Sequence, residues 1–358
     1  MDISRTISAA THADPLATVT LRAPGRLHLG FLDPGGSLGR RFGSLGFVVN
    51  GFETEIELSV SPADQVTADG LAERAEVERA AAYLHLLQRQ SGRREPLRLR
   101  LVRVLPAHAG FGSGTQLALA IGRAFAQWHR LDISTSALAQ WLGRGVRSGI
   151  GIAGFDHGGL LVDGGPGVDG APASVLARIP LPAGWRVLVV QDGAHQGLSG
   201  ADERHAIATL PPLPQALAAD ICHQVLMRVL PGAASAEFAP FAAGINRIQQ
   251  VLGEHFAPAQ GGGVFTSAAV GRLIEWIGTA TGDRGADAER FPGHTAATGQ
   301  SSWGPTGFAI LPSQAQAEMV IEAARAANVI APSLTVSIVS GRNAGAIVAD
   351  RRTAARAR

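Results

Sequence analysis

Pro106-Ala-His-Ala-Gly110-Phe-Gly112-Ser113-Gly114-Thr115-Gln116 is the stretch on which the reading of this chain turns. It follows Leu97 to Val104, where Leu97, Leu99 and Leu101 alternate with Arg98, Arg100 and Val102 as in a strand with one buried side. It precedes Gln116 to Trp128, whose apolar residues fall at helical spacing. Three glycines at alternate positions let the backbone close around a ligand, while the helix start offers unpaired N–H groups and a positive dipole end. Ser113 and Thr115 add hydroxyl donors. Gly110, Gly112, Ser113, Gly114, Thr115 and Gln116 therefore read as an anion cradle, with phosphate as the expected anion. Thr115 stands where a dinucleotide fingerprint needs its third glycine, and a P-loop needs a lysine. A capped helix after a flexible turn would read the same.

Three other segments carry chemistry. Ala23-Pro-Gly-Arg26-Leu-His28-Leu-Gly30-Phe-Leu-Asp33 alternates so that Arg26 and His28 share a face, and an arginine fork beside an imidazole suits an anionic substrate. A solvated edge strand is the plain alternative. Arg144-Gly-Val-Arg147-Ser148-Gly-Ile-Gly151-Ile-Ala-Gly154-Phe-Asp156-His157-Gly-Gly159 gathers two arginines, a glycine series and an Asp-His pair, or else is a glycine-rich connection. Gly299-Gln-Ser301-Ser302-Trp303-Gly304-Pro-Thr-Gly307 is a polar loop entering a strand, and Trp303 could wall an aromatic pocket.

Composition removes whole classes of function. All 31 basic residues are arginine, so a Schiff-base lysine, a pyridoxal-phosphate enzyme and a Walker A loop are excluded. Cys222 is the single cysteine, which rules out an intrachain disulfide and cysteine-built zinc or iron–sulfur sites. Asp192 and His195 lack a third ligand at zinc spacing. Net charge is +2 and aromatics are 5%, without the basic stripe interleaved with rings that nucleic acid requires. No secretory signal or apolar membrane span is evident, so a cytoplasmic protein that binds neither nucleic acid nor membrane is expected.

The 358 residues, 46% hydrophobic, supply ample core for two domains. The expected division is 1–170 with the glycine loop, 171–350, and a frayed basic tail over 351–358, with Asp163 to Pro172 as linker. Strands are read at Thr18–Arg22, Thr54–Val60, Gly158–Val162, Arg186–Val190, Gly307–Leu311, Thr335–Val339 and Ala346–Val348. Further helices are read at Leu71–Gln90, after Ser134, and at Pro214–Leu230, Phe241–Leu252, Ala268–Thr279 and Gln314–Asn328. Without strict β-α-β alternation, the class is α+β.

Together these segments resemble the GHMP kinase superfamily. Ala23–Asp33 is similar to its first motif, Pro106–Gln116 to its P-x-x-x-G-L-G-S-S phosphate loop, and Gly299–Gly307 to its third motif. Phe111 replaces the usual leucine, and Gly114-Thr115-Gln116 replaces Ser-Ala-Ala. Those variants, the Arg147–Gly159 segment, and Gly197-Leu-Ser-Gly200 with Glu203 resemble the β-ribofuranosylaminobenzene 5′-phosphate synthase family of methanopterin biosynthesis. The resemblance implies a two-domain fold, with a ribosomal-protein-like α+β N-terminal domain and a ferredoxin-like C-terminal one. It implies a homodimer that joins phosphoribosyl diphosphate to 4-aminobenzoate or 4-hydroxybenzoate, releasing CO2 and diphosphate, with Mg2+ by analogy and no ATP. Arg26, His28, Arg147 and Asp156 become catalytic candidates, Ser301, Ser302 and Trp303 aryl-pocket candidates, and Asp33 and Asp156 metal ligands. An ATP-dependent kinase and a non-catalytic sensor on the same fold are the alternatives.

Overall fold

The computed structural model describes residues 17–70, 74–167, 171–197, 205–206, 208–282 and 295–352. Its spine is an antiparallel pair of long strands, β1 (Thr18–Asp33) and β2 (Phe42–Val60). The strand read to Arg22 does not stop there. Register shifts between Pro24 and Arg26 and between His28 and Gly30 absorb the proline and glycines, and the strand runs on to Asp33. Between the two shifts Arg26, Leu27 and His28 keep regular pairing with Val48, Phe47 and Gly46. Arg26 and His28 thus share one face while Leu27 is buried in the core on the other.

β3 (Gln65–Ala68), β4 (Leu97–Arg103), β5 (Leu160–Asp163), β6 (Val175–Ile179) and β11 (Ile347–Asp350) complete this first sheet, whose main path is β11-β1-β2-β4-β3. Leu97, Leu99 and Leu101 are wholly buried, as their alternation required. They pack under α1 (Val77–Ser91) and α2 (Ser113–His129). Eleven of the seventeen residues of α2 are buried, so this helix is held on nearly every side and its N-terminus is fixed in place. α3 (Thr135–Trp141) and α4 (Ile150–His157) follow.

The second sheet has order β10-β7-β9-β8, from β7 (Arg186–Asp192), β8 (Ala297–Gln300), β9 (Thr306–Leu311) and β10 (Leu334–Ser340). Between β7 and β8 come α5 (Gln215–Gln224), α6 (Leu230–Ala234), α7 (Phe238–Phe256) and α8 (Ala268–Ala280); α9 (Gln314–Ala326) joins β9 to β10. Strand, helices, two strands, helix and strand in that sheet order make the ferredoxin-like arrangement. The helix read over Pro214–Leu230 is interrupted by a π turn, Val225–Val229, just before Pro231.

The two sheets share a core. Leu27, Leu29 and Phe47 of the first pack in one cluster with Phe241, Ile245 and Phe308 of the second. Residues 175–179 and 347–350 also lie in the first sheet. The tail does not begin frayed: the Arg352 guanidinium donates to the Asp350 carboxylate and to the carbonyls of Gln127 and Trp128, and lies over the Trp128 ring. Residues 353–358 lie outside the described residues.

Candidate active site

The glycine loop reaches α2 through a left-handed turn, with Gly110 at φ 89° and the N-cap Gly112 at φ 75°. Space is short at both as well. A Cβ on Gly110 would sit 2.6 Å from the Ser301 carbonyl oxygen, and one on Gly112 would sit 3.0 Å from Cζ of Arg26. The loop is therefore folded tightly against the first and last of the four segments.

Its fastening is a small set of hydrogen bonds. Arg26 donates through Nη1 to the Gly110 carbonyl at 2.8 Å, and its backbone N–H donates to the Phe111 carbonyl at 3.1 Å. Ser301 donates through Oγ to the same Gly110 carbonyl at 2.7 Å and accepts the His28 N–H at 3.0 Å. Ser302 donates its N–H to the His28 carbonyl at 3.1 Å while adopting φ 54°, a left-handed backbone rare for a serine. Gln116 ties in the remaining segment, donating through Nε2 to the Gly151 carbonyl at 2.9 Å. All four segments converge on one place.

That place is a cleft of about 940 Å3. Gly110, Gly112, Ser113, Gly114 and Thr115 line it, facing Arg26, Arg41, Arg79, Arg144 and Arg147. Among the described residues no carboxylate lines it. Arg79 is paired with Glu76 at 2.8 Å, and Arg144 contacts the Tyr83 hydroxyl and ring. Guanidinium forks around a helix N-terminus make a strongly anion-attracting enclosure.

His28 stands at one side of the cleft, 3% exposed, with neither ring nitrogen bonded to any described residue. Burial, followed by the charges of Arg26 and Arg147, holds its pKa well below the usual histidine range, so the ring is neutral. Trp303, 3% exposed, packs against Phe256 with ring centroids 4.6 Å apart. Both residues, with Phe31 and Ser302, also line a second chamber of about 260 Å3 behind the cleft.

Several expected site residues are placed elsewhere. Gln116 is buried and turned to Gly151, and it does not line the cleft. Ser301 is buried and serves as a tether. Asp156 does not line the cleft: its carboxylate accepts from Thr135 Oγ1 at 2.6 Å. The cause is that residues 150–157 form a helix, where a connection was an open reading. At about 100° per residue, Asp156 points roughly 140° away from Gly151, which faces the cleft.

Asp33 is likewise engaged, accepting from the backbone of Gly36 and Leu38 and from Ser37 Oγ. Neither Asp33 nor Asp156 lines the cleft, and among the described residues no three His, Cys, Asp or Glu gather as a metal set. Among the described residues, the donors lining the cleft do not make a magnesium site. Asp192 does meet His195, at 2.7 Å, but its same oxygen accepts from Ser267, the N-cap of α8, at 2.6 Å. This trio anchors a helix to the end of β7. Residues 198–204, with the Leu-Ser-Gly run and Glu203, lie outside the described residues.

Asp163, read as the start of a linker, is a residue that sequence reasoning passed over. Its buried carboxylate accepts from the Gly149 N–H at 2.8 Å, Ser148 Oγ at 3.2 Å and the Gly165 N–H at 2.8 Å. It thereby fixes the turn that carries Arg147. Burial raises its pKa above the ordinary carboxylate value.

Residues 76–159 match the model of the GHMP kinases N terminal domain. The chain is 34% identical over 244 residues to beta-ribofuranosylphenol 5′-phosphate synthase of Archaeoglobus fulgidus, covering 64% of this chain and 75% of that protein. It is 30% identical to the synthase of the same name from Methanothermobacter thermautotrophicus, covering 64% and 74%. Among solved structures, homoserine kinase from Cytophaga hutchinsonii superposes with TM-score 0.66 at 17% identity, over 94% of this chain and 98% of that one. Mevalonate diphosphate decarboxylase from Staphylococcus aureus gives 0.64 at 13%, over 93% and 98%. At such identities the two structures speak for the fold alone. No helix among the described residues is long and apolar enough to cross a membrane.

Proposed function

The chain belongs to the β-ribofuranosylphenol 5′-phosphate synthase family, and from that premise we propose that it transfers the phosphoribosyl group of 5-phosphoribosyl 1-diphosphate to 4-hydroxybenzoate or 4-aminobenzoate. CO2 and diphosphate are released and a C-glycoside forms, in the biosynthesis of a methanopterin-type carrier. The observation that carries this reading is the cleft itself: five arginines and a helix N-terminus, with no carboxylate among its described lining, suit a substrate bearing three phosphoryl groups. The word phenol in the relatives' names favours the hydroxy acid as acceptor.

The chemistry asks little of side chains beyond charge and position. The bond from the anomeric carbon to diphosphate breaks with its electron pair leaving on diphosphate. The ring carbon bearing the carboxylate bonds to the cationic anomeric carbon, and the electrons of the carbon–carboxylate bond return to the ring as CO2 departs. No proton leaves that carbon, so no base is needed there, and the absence of lysine is no handicap. Arg26, Arg147 and the N–H groups at the start of α2 stabilise the departing diphosphate. His28 orients the acceptor as a neutral hydrogen-bonding group. Any Mg2+ arrives on the diphosphate, as part of the substrate.

The test is release of labelled CO2 from carboxyl-labelled 4-hydroxybenzoate or 4-aminobenzoate in the presence of phosphoribosyl diphosphate. Release with formation of the C-glycoside is expected; none with either acid would end the proposal.

A further inference from the structure

Behind the cleft lies the smaller chamber, enclosed by α7, α8, β8 and the Ser302–Trp303 turn. Its character is the opposite of the cleft's. Phe31, Phe256, Phe265, Ile274 and Trp303 supply apolar walls; no arginine lines it, and its one charged lining residue, Glu275, is exposed to solvent. Most of the amides that border it are already satisfied. Gln249 donates to the Leu29 carbonyl and accepts from the Gln300 N–H; Gln300 accepts from the Thr266 N–H and donates to Gln260; Asn246 donates to the Ala296 carbonyl and accepts from the Thr298 N–H. Among the described residues, the only buried side-chain polar atoms lining it without a partner are the two ring nitrogens of His28.

We propose that this chamber is the arene subsite, taking a single-ring aromatic carboxylate whose carboxylate-bearing carbon meets the sugar at His28, with the rest of the ring among the phenylalanines. The inference rests on the transfer reaction proposed above. Volume supports it, because about 260 Å3 exceeds the roughly 150 Å3 that holds benzene in an engineered apolar cavity. Position supports it too, since His28, Phe31, Ser302 and Trp303 border both spaces and so form the boundary across which the two substrates would meet. A flat ring gains by leaving water for walls whose amides are mostly spent, whereas a phosphorylated sugar would be desolvated there without a counter-charge. The unmet imidazole then gives the ring's polar end its one directed hydrogen bond.

Gly278 of α8 offers a clean probe. It lines the chamber, and a Cβ there would meet only Thr298 Oγ1, at 3.7 Å, an ordinary contact. Gly278→Leu should therefore fold, with leucine the better helix former, and should occupy the space. Calorimetric titration of 4-hydroxybenzoate and, separately, of inorganic diphosphate into wild type and variant reads the two sites apart. The expected result is benzoate binding weakened at least ~10-fold with diphosphate affinity within about two-fold of wild type. Undiminished benzoate binding in the variant, or none in the wild type, would overturn the subsite. The fate of the transfer reaction is read independently, from labelled CO2 release by the wild type. Release with benzoate binding insensitive to Gly278→Leu would spare the reaction and overturn the chamber. Sensitive binding without release would sink the reaction and leave the chamber a benzoate site.

Discussion

The cleft and the chamber share a wall and little else. One is wide, ringed with guanidinium groups and fed by a helix N-terminus; the other is narrow, aromatic and nearly free of unmet polar atoms. An anion gains from the first through charge that is already oriented, and a ring gains from the second through displaced water. Placing the two side by side, with an uncharged imidazole at the boundary, would let a polyanion and a ring, as proposed above, meet without either site compromising the other.

The contrast can be broken most severely from the glycine loop. Gly112→Val forces a β-branched residue to φ 75° and drives its Cβ against the Arg26 guanidinium, so kcat/KM should fall at least ~100-fold, with circular dichroism near wild type and a melting temperature lowered by the backbone strain. Unchanged turnover would remove the loop from the site. Arg26→Lys keeps the charge but loses the fork that grips the Gly110 carbonyl while facing the ligand. A rise of about 10-fold in KM for phosphoribosyl diphosphate is expected, with the aryl acid's KM little changed.

The boundary itself is probed by pH. Because His28 is neutral when folded and titrates near 6.5 when unfolded, the unfolded chain binds the extra proton. Its contribution is fully present above pH 6.5 and is lost as pH falls toward the depressed folded value, by at most about 1.4 kcal/mol per pH unit. Denaturant titrations from pH 7.5 to 5 should show a steeper loss for wild type than for His28→Gln; parallel curves would mean the ring is not held neutral. The smallest effect is reserved for Asp156→Asn, which should leave kcat/KM within about two-fold, its carboxylate lying outside both spaces and bonded to Thr135. A large loss there would return Asp156 to the machinery.

Much of the cleft was legible because its signals are local. Glycines at alternate positions, an Arg-x-His pair on a strand and a strand-to-helix junction each announce themselves within a dozen residues. The fold class followed from periodicity, and the ferredoxin-like second sheet from the resemblance. What failed were statements about direction. Asp156 looked available until eight residues around it proved helical and turned it away. Ser301 carries a group suited to a ligand, but a tertiary neighbour claimed it for the backbone, whereas Asp33 is spent on the turn that directly follows it. Asp163 sat in a glycine- and proline-rich run that reads as punctuation, and only the fold reveals a buried cap that steadies Arg147. The chamber was invisible for a related reason, since its walls come from α7, α8 and β8 together with β1, which lies about two hundred residues earlier in the chain.

The Ser301 hydroxyl, bonded at once to the glycine loop and to the strand carrying His28, makes three distant stretches of chain mechanically one body. Neither phosphate-facing nor ring-facing parts are then free to drift apart. A graft of the glycine turn alone onto another scaffold would inherit its shape without its calibration, because the rivet that sets it is almost two hundred residues downstream.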